Sequence, residues 1–282
     1  MRRMKGFTII ELLVVISTIA LLASILAPAL SHVREQARSV VCMTHQKDLT
    51  LSWMTYAASN NGLLPSSYNY YGNGSGINGE FDDESSWVWA AWAGRQNKPA
   101  IENPYGNPRD FEASQEEKTE GIKRGSLWPY SGDIDIYRCP SDKNSNKHIR
   151  SYVIADNFNG KAADISPFAT WRIFKRMENV PRPSEAYVFM EESDPRPYNM
   201  DSFLFYAKSG SWSDPLAVWH KGSSSFSFAD GHVEQRHWST ETEEHFNVAD
   251  EQEAYLHYNW QWSPQTDGGL DDIYWMEAGW AL

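Results

Sequence analysis

From Phe7 to Leu30 the chain runs for 24 residues with one formal charge, Glu11. No other stretch constrains the fold as strongly, because 18 or more consecutive apolar residues read as a helix that spans a bilayer. Arg2, Arg3 and Lys5 precede it. Basic residues on the short flank predict that this end stays cytoplasmic, so everything after Leu30 is expected on the far side. Glu11 does not fit a plain anchor. An intramembrane carboxylate costs about 2.5–3.5 kcal/mol on insertion scales and marks a functional site with a partner to be named. None is apparent within the segment. A secretory signal would have a shorter apolar core followed by a small-residue cleavage site, and an uncleaved anchor leaves Glu11 unexplained.

The run Lys5-Gly6-Phe7-Thr8-Ile9-Ile10-Glu11-Leu12-Leu13-Val14-Val15-Ile16, with Pro28 further on, resembles the processing site of type IV prepilins and type II secretion pseudopilins. The resemblance covers roughly Lys5 to Ala58. It implies a membrane peptidase and methylase that cuts after Gly6 and methylates the new N-terminal Phe7. It also implies that Glu11 pairs with the free amine of a neighbouring subunit during assembly, which would supply the missing partner.

Past Pro28 the pattern becomes amphipathic, with Val33, Ala37, Val40 and Val41 at helical spacing and Leu51, Met54 and Tyr56 resuming the stripe. Asn60-Asn61-Gly62 and Pro65 end it. Phe7 to Ala58 then forms one helix of roughly 78 Å at 1.5 Å per residue, with Pro28 as a candidate kink. Its second half must bury that stripe against a sheet. The stretch 61–126 reads as irregular, with a Gly-rich loop at 68–79, a short aromatic segment at 86–92 and an exposed excursion at 97–123. Strand signals begin at 127–130 and 135–142 and continue at 151–155 and 186–190. Ser224 to Gln235 contains Asp230-Gly231, the strongest short hairpin signal, read as a two-residue type I′ turn. That register sets Phe228 opposite Val233 and Phe226 opposite Gln235. Phe226, Phe228 and Val233 then share one face, with Ser225, Ser227 and Glu234 on the other. His220, nine intervening residues and Asp230-Gly231 are similar to the His-x9-Asp-Gly pattern of a large prepilin-like group. Cys42, Leu63-Leu64-Pro65 and Arg138-Cys139-Pro140-Ser141-Asp142 carry the same resemblance, while Lys47-Asp48-Leu49 departs from it. That group implies an architecture more than an activity.

The net charge is −12, and without residues 1–6 the chain has 22 basic against 37 acidic residues, or −15. This argues against nucleic acid, which needs a basic surface. Cys42 and Cys139 are the only cysteines. In a chain exported to an oxidising compartment they read as a disulfide, worth about 4.7 kcal/mol for a loop of about 100 residues. Two separate buried thiols are the alternative. Hydrolase, kinase and phosphate-loop motifs are absent. His232, His237, His245 and His257 lack a spacing that forces convergence on zinc. His220 and Asp230 are placed to hydrogen-bond across the hairpin base. Asp267, Asp271 and Asp272 around Gly268-Gly269 offer oxygen ligands for calcium, and the stretch is similar to the C-terminal calcium loop of major pseudopilins; an acidic surface turn is the alternative.

The expected fold is α+β: a long N-terminal helix, half in the membrane, packed on an antiparallel sheet with long loop insertions. Three segments are expected: a cleaved leader at 1–6, a helix at 7–60 (transmembrane 7–30, amphipathic 31–60) and an extracytoplasmic pilin-like domain at 61–282. The expected function is a structural pseudopilin, not an enzyme, in a type II secretion or type IV pilus-like filament. Its partners would be the prepilin peptidase, other pilin-like subunits, the inner membrane and the secretion platform. The alternative is a pilin-anchored glycan-binding module using Trp87, Trp89 and Trp92, or Tyr258, Trp260 and Trp262.

Overall fold

The computed structural model describes residues 8–67, 85–89, 114–142, 149–159, 172–193, 202–206, 210–247 and 262–280. Gly6, Phe7, the 68–79 loop, Trp92, His257, Tyr258 and Trp260 lie outside them. Helix α1 spans Ile9–Ser59 and contains Pro28 in its interior. It is long and apolar enough to cross a membrane, with a mean hydropathy of 2.7 over its most apolar window. Asn60 caps its end, Asn61 and Gly62 take positive φ, and the Gly62 N–H returns to the Ala57 carbonyl at 2.7 Å. This is the left-handed stop that the Asn-Asn-Gly triplet predicts.

The main sheet contains β1 (Tyr152–Ala155), β2 (Tyr187–Glu191), β3 (Ser202–Phe203), β6 (Ser223–Phe228) and β7 (Val233–His237), in the order β3-β1-β2-β6-β7. Its four longer strands are antiparallel, and β3 runs parallel to β1 at one edge. A small second sheet pairs β4 (Phe205–Tyr206) with β5 (Ser211–Trp212). The fold is α+β in the pilin-like arrangement. Helix α1 covers one sheet face. On the other, α4 (Thr240–Phe246) and α5 (Asp267–Trp280) close over an aromatic core that includes Tyr187, Phe226, Trp238 and Trp275. Much of the tryptophan content is therefore structural. Aromatic pairs add about 0.5–1.5 kcal/mol beyond their buried area.

Several expectations are corrected. The face of α1 that packs is not the Val33–Val40 stripe. Val33 and Val40 are each 58% exposed and Leu51 47%, whereas Cys42, Gln46, Leu49, Thr50, Trp53 and Ala57 are buried. The sheet meets α1 with its serine side: Gln46 donates to the Ser225 carbonyl, and the Thr50 and Ser227 hydroxyls bond at 2.6 Å. A hydroxyl-lined strand asks for polar helix residues, so hydrophobic periodicity selects the wrong face from Val33 to Leu51, while Met54 and Tyr56 of the expected stripe do pack against the core. Trp128–Ser131 forms a short helix, α3, closed by Gly132 at φ 62°, and Asp135–Tyr137 forms a 3-10 turn; neither is a strand. Within the supposed excursion, Gln115–Arg124 forms α2, with Ser114 and Glu117 closing a reciprocal capping box.

The hairpin is also one residue longer in its loop. Ser227 pairs with Val233 and Phe226 with Glu234. The Gly231 N–H bonds the Phe228 carbonyl, and Gly231 takes φ 92°. This is the three-residue loop with a left-handed glycine, not the two-residue type I′ turn.

Candidate functional site

The elements converge on one buried cluster where α1 crosses the sheet. Cys42 of α1 and Cys139, just past the 3-10 turn, form a disulfide with 5.1 Å between Cα atoms. His220 lies against it, with Nε2 3.3 Å from the Cys139 sulfur. The same nitrogen is 3.0 Å from the Glu191 carboxylate, and Nδ1 is 2.9 Å from that of Glu35. Side-chain exposure is 1% for His220, 0% for Glu191 and 19% for Glu35. One imidazole thus ties α1, β2 and the disulfide together.

Local sequence explains each position. Glu35 precedes Cys42 by seven residues, so both lie on one face of α1. Glu191 would share a face with Tyr187 in a regular strand. The register between β2 and β6 shifts by one residue between Tyr187 and Met190. This bulge reverses the parity: Tyr187 stacks on Trp275 of α5, while Glu191 turns toward α1 and also accepts the Ser225 N–H at 2.9 Å. His220 sits at a tight turn in which Lys221 and Gly222 take positive φ of 55° and 74°.

The electrostatics follow from this packing. Burial pulls the His220 pKa down, but the hydrogen bond and charge of Glu191, then those of Glu35, outweigh it, and the pKa is raised above the ordinary histidine value. With a carboxylate at each ring nitrogen, the imidazolium donates on both sides. Burial, followed by the charges of Glu191 and Asp142, holds the nearby Tyr152 phenol well above its usual range. Glu35 also accepts from the Ser141 hydroxyl at 2.6 Å, and the Ser141 N–H points at the Cys139 sulfur at 3.4 Å.

The other residues singled out in the sequence lie elsewhere. His220 and Asp230 do not meet. Asp230 instead accepts from the backbone N–H and ring of His232. Glu11 finds a partner inside its own segment: its Oε2 accepts from the Thr8 N–H at 2.9 Å and the Thr8 hydroxyl at 2.8 Å, closing a capping box at the start of α1. Thr8-x-x-Glu11 is the sequence signature of that box, so this contact was readable. The acidic C-terminal stretch opens α5 and is not a loop, with Asp267 in the first turn and Asp271 and Asp272 in the second. There Asp272 is 2% exposed and is held by Arg236 at 3.0 Å and the Ser239 N–H at 2.9 Å. Trp87 is fully buried against Tyr137 and Phe189, and Trp262 stacks on His245. Glu35 and Glu191 were missed. The signals available were a carboxylate seven residues before the helix cysteine, and another closing the apolar strand Tyr-Val-Phe-Met.

Comparison with known proteins gives two matches. The family described as "Protein of unknown function (DUF1559)" matches residues 31–204, more than half of the chain. The matched stretch includes Glu35, Cys42, Cys139 and Glu191 and stops before His220. A 61-residue segment is 43% identical to the type IV wide pilus major component PilA4 of Thermus thermophilus, covering 22% of this chain and 47% of that protein. The similarity therefore spans less than half of the relative's length. No solved structure matches.

Proposed function

The chain belongs to the DUF1559 family, and from that membership, its apolar N-terminal helix and its partial likeness to a type IV pilus component we propose that it is a pilin-like, non-enzymatic structural subunit of a filament. The observation that carries this reading is the outer face of α1. It is exposed and apolar from Ile9 through Leu30, and exposed Val33, Val40 and Leu51 continue the same face beyond any membrane thickness, with Thr44 and Lys47 between them. An isolated anchor has no use for apolar residues there, whereas a helix that bundles with copies of itself does.

In this proposal a prepilin peptidase cuts after Gly6 and Phe7 becomes the methylated N-terminus. The helix holds the subunit in the inner membrane with its domain outside the cytoplasm, until the assembly platform draws it into a type II secretion or type IV pilus-like filament. The Glu11 carboxylate receives the amine of a neighbouring subunit. Both Thr8 contacts use Oε2, so the capping box leaves Oε1 for that role.

Mass spectrometry of the chain purified from membranes tests the processing, with N-methylated Phe7 expected at the N-terminus; an intact Met1 overturns it. Glu11→Ala should insert normally and fail to enter filaments. Thr8→Ala loses the cap, about 1 kcal/mol, but keeps Glu11 and should still assemble. Equal defects in the two variants would reduce Glu11 to a capping residue.

A further inference from the structure

The cluster at the disulfide has a second use that the oxidised protein conceals. The Cys42 and Cys139 sulfurs, a His220 nitrogen and a Glu191 oxygen all lie within 4.8 Å of one another, and all four residues are buried. We infer that in the dithiol state these four side chains form a binding site for a zinc-class divalent cation, and that disulfide formation discharges it.

The donor set is that of a closed four-ligand zinc site: two thiolates, one imidazole and one carboxylate, with no position left for water. Thiolates select zinc-class ions over calcium or magnesium. The surrounding contacts are those that metal ligands require. Glu35 holds Nδ1 of His220 and so aims Nε2 at the sulfur and at Glu191, as carboxylates orient metal-binding histidines. The Ser225 N–H fixes the free oxygen of Glu191, and the Ser141 N–H already points at the Cys139 sulfur. A disulfide sulfur gains little from such a donor, while a thiolate gains a charge-assisted bond. A groove of about 590 Å³, lined by Arg38, Trp219 and Lys221 among others, reaches Glu35, the residue that holds His220.

Discharge balances as thiol–disulfide exchange with an organic disulfide, R–S–S–R. One cysteine thiolate attacks a sulfur of the reagent, forms a mixed disulfide and expels RS⁻. The second thiolate attacks the cysteine sulfur of that mixed disulfide, closes the Cys42–Cys139 bond and expels the second RS⁻. The pair loses two electrons, the reagent gains two, and the cation leaves as Zn²⁺.

The test uses the full chain in detergent, reduced with a phosphine, freed of it under argon and titrated with Co²⁺. The expected result is about one Co²⁺ per chain, with a thiolate-to-cobalt charge-transfer band and tetrahedral d–d intensity. Zn²⁺ should displace it, and oxidised glutathione should release it with about two thiols per ion; the untreated, oxidised chain should take up none. Glu35→Gln should weaken binding about 10–100-fold, and the Cys42→Ser, Cys139→Ser double variant should lack the charge-transfer band. The inference is overturned if the reduced chain, with native near-ultraviolet circular dichroism, binds no Co²⁺. It is equally overturned if the band survives in the double cysteine variant or uptake is the same in the oxidised chain. Should reduction itself abolish the native dichroism, Zn²⁺ must restore it, because metal binding is then coupled to folding; failure to restore it overturns the inference as well.

Discussion

Replacing His220 with alanine in the disulfide-bonded chain removes the imidazole that bridges the Glu35 and Glu191 carboxylates. Glu191 has no exposed side-chain surface and keeps one described donor, the Ser225 N–H. Removing one partner of a buried ion pair costs about 3–5 kcal/mol, because the other charge is left uncompensated. Glu35 contributes less, since it is 19% exposed and retains the Ser141 hydroxyl; one lost hydrogen bond there is worth about 1 kcal/mol. The expected loss is roughly 4–6 kcal/mol, a large part of the 5–15 kcal/mol that holds a typical domain together. Urea unfolding of the full chain in detergent, followed by tryptophan fluorescence, measures it, with thiol titration confirming an intact disulfide. A double-mutant cycle with Glu191→Gln isolates the pair: once residue 191 is uncharged, losing His220 should cost at least about 2 kcal/mol less. A single-variant loss below about 1 kcal/mol refutes the reasoning. So does a cycle that is additive within about 0.5 kcal/mol, the behaviour of independent sites.

The same cluster sets a pH dependence. His220 faces Glu35 from α1 and Glu191 from β2, and its pKa is raised. Its stabilisation is therefore fully present below about 6.5, the unfolded value, and is lost as pH rises through the higher folded value. The melting temperature of the oxidised chain should fall as the pH rises above about 6.5, with a smaller slope in the His220→Ala, Glu191→Gln double variant; an equal slope would remove His220 as the cause. At Gly279 of α5, an added methyl would overlap the Tyr187 ring, so Gly279→Ala should cost about 1–3 kcal/mol in urea unfolding, and a loss under about 0.5 kcal/mol would contradict that close approach. Val40 is 58% exposed, so Val40→Asp should leave stability within about 0.5 kcal/mol while blocking incorporation into filaments. Normal incorporation would count against the outer face of α1 as a packing surface.

What the sequence disclosed depended on whether local chemistry or tertiary context decided each feature. The existence and the stop of helix α1 were legible because their signals are local: a long apolar run and Asn-Asn-Gly. The strands at 152–155 and 187–191 were legible for the same reason. The packed face of α1 was not. It is chosen by Ser225 and Ser227, about 180 residues away, and no window on α1 contains that information. The hairpin was found but its register was not, because Asp-Gly fits both a two-residue loop and the last two positions of a three-residue loop. What separates them is the bond from Gly231 to Phe228 and the packing of both faces of β6.

His220 and Asp230-Gly231 flank the two ends of β6 and do not touch. The two ends perform separate tasks on one strand. Asp230 and Gly231 fix the turn after β6: the carboxylate receives His232, and the left-handed glycine sets the loop length. That turn determines which β6 residues face α1. Ser225 is one of them, and its N–H fixes Glu191. His220 lies at the other end of β6, where the Lys221-Gly222 turn enters the strand, and reaches the same glutamate from its other side. A change of one residue between the two ends would reverse the parity of β6. Loss of one residue would set Phe226 in place of Ser225 at the α1 interface and remove the hydroxyl that accepts from Gln46. The length between the two ends thus sets the register of β6, and it couples a surface turn to the buried centre that ties helix to sheet.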